Sequence, residues 1–251
     1  IRRYLKGDEG TAGAAALRIA GSSDIYDPSV RDNASVNFIT CHDGFTLYDL
    51  YSYNVKHNES NGWNNTDGSN DNHSWNCGAE GETEDKAVNT LRRRMIRNAC
   101  AVLMCSRGIP MFLAGDEFGN TQFGNNNPYC HDDEVSWLDW GLLEKNQDIF
   151  RFFKSMIHFR KEHPVLRSNV SNGFGGLPDI SFHGTRPWAM GFSGSDRYIG
   201  VMMAGQEEGK QPEAVYIASN AYWEQLEAVL PKLPDGMEWF RAVNTWDAQV
   251  S

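Results

Sequence analysis

Two strand-like stretches, each ending in acidic residues and glycine, bracket a long amphipathic helix, and that order limits what the chain can fold into. The first is VNFIT at 36–40, running into CHDG. Val36, Phe38 and Thr40 fall on one face and Asn37, Ile39 and Cys41 on the other, the period of a strand. The second, GIPMFLAGDEFG at 108–119, reads as a buried strand followed by Asp116, Glu117 and Gly119. Between them, over residues 84–107, Ala87, Leu91, Met95, Ala99 and Leu103 step by four and predict a helix. Buried strands joined by a helix-bearing crossover run parallel in one sheet. Both would then end in polar residues at the same sheet edge, the edge that carries active sites in a (β/α) barrel.

Around this unit, the Ala-rich stretch 11–20 predicts a short helix closed by Gly21. Residues 147–163 predict another, with a stripe of Ile149, Phe153, Met156, Ile157 and Arg160 and Pro164 just beyond its end. From Leu50 to Gly81 the chain is crowded with Asn, Asp, Ser and Gly, yet holds Trp63, Trp75, His57 and His73. So long a polar loop in a compact domain is uncommon, and its aromatics favour an ordered binding loop. After residue 170 the texture changes to short strands: DISFHG, YIGVMM, AVYIASN, LEAVL and WFRAVN. The expected organisation is an α/β part over 1–170 and an all-β part over 171–251, with SNGFGG at 171–176 as the boundary.

A net charge of −10 argues against nucleic acid and against an anionic membrane surface as partners. No run approaches the roughly 18 apolar residues of a transmembrane helix. Five cysteines (Cys41, Cys77, Cys100, Cys105 and Cys130) with no CxxC pair read as reduced thiols of a cytoplasmic protein. The first residue is Ile1, so the chain is expected to be part of a longer protein. Arg92, Arg93, Arg94 and Arg97 read as a solvated or ion-paired helix face. HDDE at 131–134 lacks a recurrent ligand spacing, and DGSNDN at 67–72 is oxygen-rich but misses the EF-hand pattern; neither predicts a metal, and no cofactor is implied.

His42-Asp43 has two readings from position alone: Asp43 caps the next helix, or the pair belongs to a site at the strand end. Asp116-Glu117 reads as support for the rim. Trp137 and Trp140 read as core fillers. Trp63 and Trp75 either offer a ring face to a ligand or anchor the loop.

VNFITCHDGFTLYDLYSYNVKHNESNG, DNHSWNCGAEG, LRRRMIRN, GIPMFLAGDEFGNTQFGNNNPYC and EVSWLDW closely resemble the glycogen-debranching and isoamylase branch of the α-amylase superfamily. The resemblance is dense over residues 1–167 and looser beyond. It implies a (β/α)8 barrel followed by a C-terminal β-sandwich, with VNFIT as strand seven, IPMFLA as strand eight and IRRYLKGD as the helix after strand six. It implies a retaining hydrolase of α-1,6 branch linkages in a branched α-glucan such as glycogen or a limit dextrin. Asp43 would stabilise the transition state, and His42 would bind the same sugar. The nucleophile and acid/base would follow strands four and five, outside these residues, so the chain alone would be inactive and its sandwich incomplete. Unpaired barrel strands imply self-association. Two rivals stand beside this reading: a non-catalytic carbohydrate-binding or interaction module, and part of a pullulanase or α-amylase-type glucan hydrolase.

Overall fold

The computed structural model describes residues 1–27, 34–167, 173–189, 191–247 and 249–250. The expected boundary at 170–171 lies outside the described residues. In chain order the elements are α1 (Arg2–Leu5), α2 (Ala12–Ile19), β1 (Val36–Asn37), α3 (Leu47–Leu50), α4 (Lys86–Cys105), β2 (Ile109–Pro110), α5 (Gly141–Lys145), α6 (Gln147–Glu162), β3 (Ile180–His183), β4 (Tyr198–Gly205), β5 (Glu213–Asn220), β6 (Val243–Asn244) and β7 (Gln249–Val250).

β1 and β2 are parallel neighbours, Val36 opposite Ile109 and Asn37 opposite Pro110, joined through α4. This is the expected β-α-β unit, with two corrections. The paired segments are two residues long, because the chain runs on through 38–41 and 111–114 without ladder partners among the described residues. The second strand is not buried: Ile109 and Met111 are exposed, as are Val36 and Phe38. Gly108 allows the strands to meet. Its φ is +121°, and a Cβ there would lie 2.6 Å from the Ser35 carbonyl oxygen.

Asp85 caps α4 by accepting the N–H groups of Ala87 and Val88. Its C-terminal end is held by Arg160 of α6, which donates to the carbonyls of Met104 and Ser106 at 2.7 Å and also to that of Gly108. The arginines of α4 depart from expectation. Arg92 is buried and donates to the carbonyls of Ser52, Asn76 and Ala79; Arg97 is buried and donates to those of Thr245 and Trp246. Arg93, paired with Asp148 at 2.6 Å, follows the ion-paired reading, and Arg97 reaches the same carboxylate at 3.9 Å, while Arg94 lies over the Trp246 ring. Backbone carbonyls that no helix or sheet satisfies take up the guanidinium forks instead.

β3, β4 and β5 form an antiparallel sheet in that order. Every residue of β4 is buried. Ile199, Val201 and Met203 join the core formed by α2, α4 and α6, while Met202 and Ala204 face a smaller cluster with Leu177, Leu233 and Trp239. The α/β part and the sheet therefore share one core. Among the described residues the all-β part is this sheet plus the two-residue β6–β7 ribbon, and LEAVL at 226–230 is irregular. Trp137 and Trp140 are exposed and not core fillers, since they lie on turns ahead of α5. Among the described residues no helix is long and apolar enough to cross a membrane.

Candidate functional site

The turn after β1 is anchored on both sides of His42 and Asp43. Before it, Thr40 donates its hydroxyl to Asp116, at the end of the β2 segment. After it, Gly44, at φ +104°, donates its N–H to the Asn126 carbonyl at 3.1 Å. Phe45 and Thr46 are then buried. The side chains of His42 and Asp43 are both 86% exposed, 3.5 Å apart.

Asp43 does not cap the following helix. Thr46 does, accepting the Asp49 N–H at 3.1 Å. The Asp43 carboxylate is therefore free of the structural duty its position suggested.

Asp116 holds this turn from the side of β2. It is buried and accepts three donors: the Thr40 hydroxyl, the Leu47 N–H at 2.8 Å and the Leu113 N–H at 3.1 Å. Burial pushes its pKa up to about 6, against those hydrogen bonds. Asp49 was not singled out from the sequence, yet it does the same on the other side of the turn. It accepts the Thr121 hydroxyl and, at 2.8 Å, the Gln122 N–H, and burial pushes it to about 6. Neither carboxyl faces solvent, and Glu117 is partly spent on the Gly115 N–H at 2.9 Å.

The polar loop is ordered by amides. Asn58 and Asn126 bond to each other twice, at 3.0 and 2.9 Å. Asn126 Nδ2 also reaches the Ser69 carbonyl at 2.7 Å and Asn72 Oδ1 at 2.9 Å. Asp67 accepts from Asn61 at 2.7 Å and Asn127 at 2.8 Å, and these donors hold its carboxyl below the usual range. His131 of HDDE is tied into the same assembly, with Asn61 Oδ1 at 2.7 Å from one ring nitrogen and Asp133 at 3.0 Å from the other.

Asn126 thus connects the His42-Asp43 turn to the loop that carries Trp63. Trp63 is 61% exposed. Trp75 is placed differently: it is half-buried against the core, and its backbone N–H donates to the Leu50 carbonyl at 2.9 Å. Of the two tryptophans, Trp63 keeps the more accessible ring.

No protein-family model matches the chain. It is 41% identical over 271 aligned residues to a glycogen operon protein GlgX homolog of Mycobacterium bovis, an alignment covering 98% of this chain and 37% of that protein. It is 42% identical over 247 residues to the chloroplastic isoamylase 3 of Oryza sativa, covering 98% of this chain and 30% of that one. A pullulanase from Paenibacillus barengoltzii, solved as a complex with maltohexaose and alpha-cyclodextrin, matches with a TM-score of 0.62 and 25% identity, over 91% of this chain and 30% of its own. The chain thus spans about a third of the length of the relatives it matches.

Proposed function

Because the chain belongs to the family of GlgX and isoamylase proteins, we propose that it forms part of a glycoside hydrolase that cleaves α-1,6 branch linkages in glycogen or a limit dextrin with retention. In this reading β1 and β2 are strands seven and eight of a (β/α)8 barrel. The observation that carries it is the His42-Asp43 turn: two solvent-facing polar side chains on a backbone pinned by Thr40–Asp116 and Gly44–Asn126.

Hydrolysis of a glycosidic bond develops positive charge on the sugar ring. A fixed carboxylate beside that ring favours the transition state over the ground state, which is the role of Asp43. His42 hydrogen-bonds the same sugar. Trp63 offers an apolar ring face to a neighbouring sugar.

A retaining glycosidase needs a nucleophile and an acid/base about 5 Å apart. Asp49 and Asp116 are enclosed and engaged, so they do not serve. In this reading those two groups lie outside these 251 residues. The intact parent protein should release linear chains from glycogen with α-anomeric product, followed by NMR during hydrolysis. The 251 residues alone should release no reducing ends. Release by the isolated chain, or a β-anomeric product from the parent, would overturn the reading.

A further inference from the structure

Trp223 is 74% exposed, yet the turn that carries it is fixed from several sides. Asn220, the last residue of β5, accepts the Tyr222 N–H at 2.9 Å and donates its amide to the Glu224 carbonyl at 2.9 Å. The Ala221 N–H donates to the Arg197 carbonyl at 2.9 Å. The Tyr222 and Trp223 rings lie 3.9 Å apart, tilted by 34°. The Arg197 guanidinium sits 5.2 Å from the Trp223 ring centre and 5.7 Å from that of Tyr222. It is itself aimed by the Gly7 carbonyl at 2.8 Å and Glu9 at 2.9 Å.

A rigid indole left in water, stiffened by the guanidinium that lies over it, offers two things together: an apolar face, and the indole N–H at its edge. A pyranose matches both, with its C–H face on the ring and its hydroxyls at the edge. The charge of Arg197 already has Glu9 as its partner, so a neutral ligand suits the place better than an acidic one. The chain's net charge of −10 further disfavours a polyanion.

We propose that Trp223, Tyr222 and Arg197 form a surface site for a linear α-1,4-linked glucan segment of the branched substrate, an inference that rests on the debranching reading. Holding a polymer at a second point raises its effective concentration at the reaction centre. Short substrates gain nothing from this.

The test uses the intact parent protein and Trp223→Ala, run through native gels that contain increasing glycogen. Trp223 is exposed, so the substitution leaves the core untouched. The apparent Kd for glycogen should rise about tenfold. Trp223→Tyr should keep most of the affinity, and hydrolysis of a short branched oligosaccharide should not change. Equal retardation of wild type and Trp223→Ala would overturn the surface site and leave the debranching reading standing. A parent neither retarded by glycogen nor able to hydrolyse it would overturn both. Trp223 fluorescence that iodide fails to quench in the intact protein would also overturn the site, because the ring would be covered by protein.

Discussion

Asn58 and Asn126 hold each other by a closed pair of hydrogen bonds: the Asn126 N–H reaches Asn58 Oδ1 at 3.0 Å, and Asn58 Nδ2 reaches Asn126 Oδ1 at 2.9 Å. Both residues are buried, and the Asn126 carbonyl also accepts the Gly44 N–H. Asn126→Ala would leave Asn72 Oδ1 and the Ser69 carbonyl without their Asn126 donor, and would take from the Asn58 amide one of its acceptors, the Asp67 carbonyl remaining. Such orphaned buried groups cost on the order of 2 to 3 kcal/mol together. We expect a corresponding loss in urea denaturation and faster amide exchange at Gly44 and Asn58. Unchanged exchange at Gly44 would show that Asn126 does not hold the turn.

Among the described residues Arg92 is a buried cation that answers carbonyls and no carboxylate. Lysine cannot reproduce a planar fork that serves Ser52, Asn76 and Ala79 at once. Arg92→Lys should destabilise the protein by about 2 kcal/mol, measured by denaturant midpoint at constant slope. A variant as stable as wild type would show that the fork is dispensable.

Asp49 and Asp116 set a pH dependence with a definite sign. Both carboxyls have a reference pKa of 3.8 and sit at about 6 in the fold, raised by burial. The folded state then holds protons that the unfolded chain has released. Their contribution to stability is fully present below about pH 3.8 and is lost as pH rises through about 6. Asp49→Asn and Asp116→Asn should each be less stable overall, because an amide presents one acceptor oxygen to several donors. Each should also show a shallower fall of urea midpoint between pH 4 and 6 than wild type. An unchanged slope in both variants would contradict the raised pKa values.

The exposed row of Val36, Phe38, Ile109 and Met111 lies on a sheet of only two strands among the described residues. An apolar face and an open strand edge of this kind favour pairing with another chain. The 251 residues expressed alone should therefore self-associate at tens of micromolar, roughly the range where such weak contacts form. Phe38→Lys should shift them toward monomer in sedimentation. A wild-type chain that sediments as monomer would rule this out.

What could be read beforehand follows a physical division. The α4 helix is plain in the sequence because its apolar side chains repeat with the helical period. The β1–β2 pairing followed from the crossover, but its length did not. Apolar alternation says that residues 38–41 can extend, not that a partner lies beside them. The amide assembly had no local signature: Asn58 and Asn126 are 68 residues apart, and polar density in a loop looks the same whether its amides meet or face water. The buried Arg92 was misread for the same reason, since its partners are carbonyls of a loop fixed only by tertiary contacts. Position at a strand end leaves His42-Asp43 with two readings, and the sugar-binding one comes from the family resemblance. That Thr46, and not Asp43, caps the next helix required the backbone geometry.

The central claim is that Asp43 stabilises positive charge on the sugar, and Asp43→Asn in the intact parent tests it most directly. The substitution keeps the shape and removes the charge, on a side chain too exposed to disturb packing. Losing one aimed electrostatic contact should lower kcat on glycogen by a factor on the order of 10² to 10³. His42→Ala should cost less, because it removes a hydrogen bond and not a charge. A kcat for Asp43→Asn within about threefold of wild type, less than 1 kcal/mol of barrier, would contradict the account.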